Sequence, residues 1–159
     1  MYSGRPLNLS EESQLADAIL QVWMPGTQSG YGIADVLSGN YNPSGRLVIT
    51  FPRNVGQIPI YYNQKNTGRP ENLNNPYADY RSNYLDAPTT PLYPFGYGLS
   101  YTSFSITNLK LSSPTLTQEG SLTATAQVSN TGSRDGEIVG QLYIREQVAK
   151  CTTPCKELS

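Results

Sequence analysis

The sequence contains no histidine. That removes imidazole both as the base that activates a nucleophile and as a metal ligand. Cysteine is nearly as scarce, with 2 residues, Cys151 and Cys155. Two thiols do not complete a structural zinc site, which takes about four ligands. A short-loop disulfide in an oxidising compartment and a pair of free thiols both stay open. No cofactor and no metal is expected. Charged residues are 14% of the chain and the net charge is -1, against a usual charged share of about 25%. Nothing in that balance attracts nucleic acid or an anionic membrane. No apolar run approaches the roughly 18–20 residues of a membrane span. The start, Met1-Tyr2-Ser3-Gly4-Arg5-Pro6, lacks the apolar centre of a signal peptide. Hydrophobic residues are 37%, below the usual share of about 45–50%, so the 159 residues make one domain or two small ones around a limited core.

What is abundant is tyrosine (12), glycine (14) and proline (12), a profile of a loop-rich α/β or β protein. It is densest at Pro91-Leu92-Tyr93-Pro94-Phe95-Gly96-Tyr97-Gly98-Leu99-Ser100-Tyr101. The run is too rich in glycine for a helix and too apolar for an exposed loop. Its glycines permit positive φ and close backbone approach, and its tyrosines offer buried area with a polar tip. A packed junction is expected.

Along the chain, Ser10 is placed to cap a helix with Glu11 and Glu12 in its first turn. Leu15, Ala18, Ile19 and Val22 at helical spacing extend it over residues 11–22, and Pro25-Gly26 ends it. A glycine-spaced loop, 26–32, leads to a short helix carrying Ile33, Val36 and Leu37, with Gly39 as its stop. Asn42-Pro43-Ser44-Gly45 reads as a turn. Leu47, Ile49 and Phe51 alternate, which predicts a strand over 46–51; Ile58, Ile60 and Tyr61 begin a second short one. Residues 62–91 are rich in Asn, Pro and Tyr and poor in aliphatics, a long loop of the kind that carries function or disorder. Tyr77, Tyr80 and Tyr84 argue against disorder. Beyond Tyr101, alternation at Phe104 and Ile106, at Leu122, Ala124, Ala126 and Val128, and from Ile138 to Arg145 predicts strands, with a turn at Asn130-Thr131-Gly132. Three or four strands of this spacing suggest part of an immunoglobulin-like sandwich. No internal repeat occurs.

Several separated stretches resemble family 3 glycoside hydrolases, the β-glucosidases and β-xylosidases, in the family's order. They are Ser3-Gly4-Arg5-Pro6-Leu7; Ala18 to Trp23 with Pro25-Gly26; Ile33-Ala34-Asp35-Val36-Leu37 and Gly39; Asn42 to Leu47; Thr50 to Pro59; Tyr61-Tyr62-Asn63; Asn66-Thr67-Gly68-Arg69-Pro70; and Pro94 to Tyr101. Val128 to Gly132 and Gln141 to Ile144 resemble the fibronectin-III-like domain that follows in many members. The resemblance implies the C-terminal half of an α/β sandwich over 1–101, including the loop at 62–91, and the N-terminal part of a fibronectin-III-like β-sandwich over 102–159. It also implies a periplasmic or secreted parent acting on β-linked glucosides or oligosaccharides. This chain departs from the family at Gln28-Ser29-Gly30, where an acidic residue followed by two glycines is usual, at Tyr31-Gly32, where a polar residue and Ala are usual, and at Cys151 and Cys155, where non-cysteine residues are usual.

Retaining glycoside hydrolysis uses two carboxyl groups about 5–5.5 Å apart. By the resemblance, the nucleophilic Asp belongs to a barrel and the acid/base Glu to a loop upstream, neither within these residues, so no residue here inherits a catalytic role. Glu11 and Glu12 read as helix-start acids, and Asp35 as structural. Asp79 and Asp86 flank Arg81, and solvated loop acids or an Arg81 ion pair account for them. Sugar recognition draws on aromatic faces and charged hydrogen-bonding groups; the loop supplies both at Tyr80, Arg81, Tyr84 and Asp86, which become the substrate-binding candidates. Trp23 is read as a buried anchor in preference to a sugar platform. Three functions follow as alternatives: a hydrolase fragment inactive alone, a non-catalytic carbohydrate-binding or enzyme-partner module, and an independent small enzyme. A half-built sandwich also predicts self-association through exposed edges.

Overall fold

The structure is a computed structural model describing residues 1–72, 74–75, 77–117, 119–145 and 156–158. Cys151 and Cys155 lie outside the described residues. The chain divides into two compact units. One comprises Met1–Ile33, Gly45–Gly98 and the described residues from Val139 onward; the other comprises Ala34–Ser44 and Leu99–Ile138.

The first unit begins with α1, Glu12–Leu15, a single turn in place of the helix expected over 11–22. Ala16 is already extended, with ψ 134. The reason is tertiary. The Met1 ammonium donates to Leu20 O at 2.6 Å, and Val22 N donates to Met1 O at 3.1 Å. Gln21 Nε2 reaches Ser3 O at 3.3 Å. The backbone of 20–22 is thus bonded alongside residues 1–3, and Ile19 and Leu20 are half-buried there. A periodicity that fits a helix yields to extended pairing. Ser10 does not cap α1 either: its hydroxyl donates to Arg53 O at 2.8 Å, and the N-cap position falls on Glu11 with no side-chain cap bond.

The strand expected over 46–51 is reduced to one bridge, Phe51 with Tyr93, yet its backbone is engaged. Leu47 N donates to Tyr97 O at 2.8 Å, Gly96 N to Leu47 O at 2.7 Å, and Phe51 N to Tyr93 O at 2.9 Å. Phe51 and Pro52 are fully buried, with Leu9 and Ala87 completing a small apolar core. Trp23 tilts against Phe51 with ring centroids 5.9 Å apart. Instead of a strand from Ile58, the chain forms a 3-10 turn at Val55–Gln57. Two strands, β1 at Phe104–Leu111 and β2 at Ala124–Asn130, belong to the second unit; the last pair, β3 at Tyr143–Ile144 and β4 at Glu157–Leu158, is antiparallel and belongs to the first. β3 is far shorter than the strand predicted from Ile138 to Arg145.

Helix α2, Ser29–Ser38, is the expected short helix begun earlier, inside the predicted glycine loop. Gly39 stops it with φ 77 and an N–H to Val36 O at 3.1 Å, a left-handed cap.

In the second unit, β1 (Phe104–Leu111) pairs antiparallel with β2 (Ala124–Asn130). Register shifts between Thr107 and Lys110, where Asn108 takes φ 55 and its side-chain amide donates to Gln127 Oε1 at 2.9 Å. An Asn bulge of this kind is well tolerated. Asn130, read as a turn residue, closes β2. Asn42 ties the unit together: Nδ2 donates to Asp135 O at 2.9 Å, and Oδ1 accepts from Ser100 Oγ and Tyr101 N, each at 2.8 Å. Tyr101 donates its hydroxyl to Val36 O at 2.7 Å, with the Arg134 guanidinium 5.7 Å over its ring. The described elements are thus mostly β, in two antiparallel two-stranded sheets. Among the described residues no helix is long and apolar enough to cross a membrane.

Candidate functional site

The tyrosine-rich loop has no regular element among its described residues, but it is anchored. At its start, Asn54 and Gln57 form a capping box: Asn54 Oδ1 accepts from Gly56 N at 2.8 Å, and Gln57 Oε1 accepts from Asn54 N at 3.3 Å and Arg53 N at 2.6 Å. The Gln57 amide then reaches the loop's far end, donating Nε2 to Pro88 O at 2.7 Å and Thr90 O at 3.4 Å. Arg53 Nε adds a bond to Thr90 O at 3.1 Å. Within the loop, the Glu71 carboxylate accepts from both the amide (3.3 Å) and the hydroxyl of Thr89. Ser82 N donates to Arg69 O at 2.8 Å, and Thr67 Oγ1 to Ser82 Oγ at 2.7 Å. The side chains of Gln57, Glu71 and Thr89 carry no periodic signal, so no sequence pattern singled them out.

Between these ties the candidate residues face outward. Tyr80 is 85% exposed and Tyr77 56%, while Tyr84 is at 37%. Arg81, Asp79 and Asp86 are exposed. Among the described residues, no hydrogen bond or ion pair joins Tyr80, Arg81, Tyr84 and Asp86, and of the two readings of Asp79 and Asp86 the exposed positions fit solvated loop acids. Tyr80 takes φ 60, a left-handed conformation that is strained for an aromatic residue and recurs at functional sites. Trp23, half-buried against Phe51, also has positive φ, at 54.

The Pro94–Tyr97 signature lies beside the loop's start. Tyr62 stacks on Phe95 at 4.4 Å and meets Tyr143 edge-on at 6.2 Å. Lys156 Nζ stands 4.8 Å from the Tyr143 ring centroid. Gly96 has φ 78, and Gln141 lies over it, donating Nε2 to its carbonyl at 3.2 Å and accepting from the Tyr143 hydroxyl at 2.8 Å. At Gly98 a Cβ would stand 2.6 Å from Gly45 O. Both glycines thus serve the uses their sequence setting indicated, positive φ and close approach.

A groove of about 400 Å³ is lined by Met1, Leu7, Asn8, Leu9 and Glu12 and by Ala16, Ala18, Ile19 and Leu20. One carboxylate does not make a paired-carboxylate site. Among the described residues no group of three or more His, Cys, Asp or Glu is placed to hold a metal ion.

Comparison with known proteins gives one consistent answer. The family model of the glycosyl hydrolase family 3 C-terminal domain matches residues 1–101. A periplasmic β-glucosidase of Salmonella typhimurium is 53% identical over 158 residues, covering 99% of this chain and 20% of that protein. A β-xylosidase of Formosa agariphila is 36% identical over 149 residues, 94% of this chain and 20% of its own length. The crystal structure of a Listeria innocua β-glucosidase in complex with glucose superposes with a TM-score of 0.86 at 42% identity, covering 99% of this chain and 22% of that one. The chain spans about a fifth of the length of these relatives. It belongs to glycoside hydrolase family 3, through the family's C-terminal domain.

Proposed function

We propose that this chain supplies the C-terminal part of a β-glucosidase-type hydrolase, and that residues 62–91 contact the sugar in the intact enzyme through Tyr80, Arg81, Tyr84 and Asp86. The observation that carries this reading is the loop itself. Its ends and middle are fixed by Gln57, Arg53 and Glu71, while its tyrosines and its Arg and Asp are held outward. Fixed backbone with exposed aromatic and charged groups is a suitable surface for a polyhydroxylated ligand. The glucose-bound β-glucosidase of matching fold is in keeping with it. The parent's reaction would be retaining hydrolysis of terminal β-D-glucosyl or related residues, in the periplasm or outside the cell. Residues 1–101 would be the later half of an α/β sandwich. Residues 102–159 would open a fibronectin-III-like sandwich, of which the β1–β2 hairpin is one edge.

By the family resemblance the nucleophilic Asp and the acid/base Glu belong to segments outside these residues, so the chain alone would not hydrolyse glycosides. The purified chain is expected to leave a chromogenic β-glucoside intact; clear turnover would overturn the proposal. The sugar contact is tested in a hybrid of the Salmonella enzyme carrying this chain in place of its matching segment. Tyr80→Ala and Arg81→Ala should each raise KM several-fold, and an unchanged KM in both removes the loop from the substrate site. A second reading, a carbohydrate-binding module without catalysis, is favoured by the exposure of Tyr77 and Tyr80; calorimetric binding of a β-glucan oligosaccharide by the chain alone would select it.

A further inference from the structure

We infer that Gln57 is the positioning residue of the tyrosine-rich loop: its side-chain amide fastens the loop's return at Pro88 and Thr90 to its departure at Arg53 and Asn54. Gln57 is 2% exposed, and its polar atoms are committed on both sides. Oε1 accepts from Arg53 N and Asn54 N, and Nε2 donates to Pro88 O and Thr90 O. A buried group that must accept on one side and donate on the other is met by a carboxamide and by few other side chains. A carboxylate supplies only the acceptor half, an ammonium only the donor half, and methionine neither. Asparagine has the chemistry but is one methylene too short to span both ends.

The backbone is prepared for this role. The 3-10 turn Val55–Gln57 is capped by Asn54, which fixes where the Gln57 side chain begins. Ala87, next to the latched carbonyl of Pro88, is buried. Arg53 Nε on Thr90 O and Glu71 on Thr89 reinforce the same returning segment, so the latch works within a network and its loss should loosen the loop before it unfolds the core. Through the loop, Gln57 would set the placement of Tyr80, Arg81, Tyr84 and Asp86. That last step rests on the proposed sugar contact; the latch itself does not.

The test is amide hydrogen exchange on the 159-residue chain, comparing the parent with Gln57→Glu, Gln57→Met and Gln57→Asn. The reporters are the amides of Thr89 and Ser82, which donate to Glu71 and Arg69. The controls are the amides of Phe51 and Tyr93, which are bonded across the core. Thr89 and Ser82 should exchange about tenfold faster or more in all three variants, with Phe51 and Tyr93 within about twofold of the parent. The Glu variant separates the halves: it keeps the acceptor side and the 3-10 cap, so loosening there assigns the latch to the donor side. If Met does not fold, Asn and Glu decide the matter alone. Unchanged exchange at Thr89 and Ser82 overturns the latch, as does an equal loss at Phe51 and Tyr93, which would make Gln57 a general core residue. In the Salmonella hybrid, Gln57→Asn should raise KM several-fold with kcat nearly held. Faster exchange with unmoved KM would leave the latch standing and sink the sugar contact instead.

Discussion

Replacing Phe51 with alanine strikes the place where the first unit is most fully closed. The ring is wholly buried, flanked by Pro52 and by Trp23 at 5.9 Å. A Phe→Ala change in such a site loses the transfer free energy of the ring plus a cavity term, together about 3–5 kcal/mol. Two features bear on where in that range it falls. The backbone bonds of Phe51 to Tyr93 and Leu92 survive the change, which limits local unfolding. Trp23 is only half-buried and has room to lean into the vacated space, which favours the lower half. Taking about 3–4 kcal/mol and a urea slope of about 2 kcal/mol per molar, the midpoint should fall by about 1.5–2 M. The assay is urea unfolding followed by fluorescence of Trp23, the chain's 1 tryptophan, which sits on the substituted site. Small domains hold about 5–15 kcal/mol in all, so emission already at its unfolded position without urea is the extreme form of the same result. Leu85→Ala is the matched control: Leu85 is 97% exposed, and its loss should stay within about 0.5 kcal/mol. A Phe51→Ala midpoint within about 0.3 M of the parent would refute the reasoning and show that this core contributes little to stability.

Gly98→Ala should destabilise the first unit by more than about 1 kcal/mol, because the new Cβ meets a backbone oxygen, Gly45 O at 2.6 Å, that has no rotamer to change; a denaturation midpoint equal to the parent's contradicts that. Asn42→Ala removes three hydrogen bonds at once and should cost about 1–3 kcal/mol. It should also relieve Gly136→Ala, whose Cβ would otherwise lie 2.5 Å from Asn42 Nδ2, so a double-mutant cycle read by chemical denaturation should show clear coupling, and additivity would deny it. Leu15 and Met24 are large apolar side chains 85% and 75% exposed. Sedimentation should therefore show concentration-dependent association that weakens in a Leu15→Glu, Met24→Glu double variant. A monomer at all concentrations would count against it.

The parts of the fold that could be read in the sequence are those whose signal is local. Gly39 announces the end of α2, and Gly96 and Gly98 announce a tight junction, because a missing Cβ is itself the requirement. Alternation at Phe104 and Ala124 announces β1 and β2. Residues 18–22 misled because Leu15, Ala18, Ile19 and Val22 satisfy a helical spacing while the same apolar run also suits extended chain. The choice is made by Met1, whose ammonium and carbonyl bond Leu20 and Val22, and no pattern within 11–22 contains that partner. The loop was legible as a place, through its tyrosines, but not as a constructed surface. Gln57, Glu71 and Thr89 are ordinary polar residues in the sequence, and their weight comes from partners that only the folded backbone delivers.

The stack of Tyr62 on Phe95 with Tyr143 at its edge has a consequence for synthesis. Tyr62 and Phe95 leave the ribosome before Tyr143, which follows only after the whole of β1 and β2 has been made. The second unit is likewise interleaved, with Asn42 waiting for Ser100 and Asp135. Neither unit can close in the order in which it is translated, so the nascent chain must carry open aromatic surface until Tyr143 emerges. A stop codon before Tyr143 would leave the Tyr62–Phe95 face uncovered.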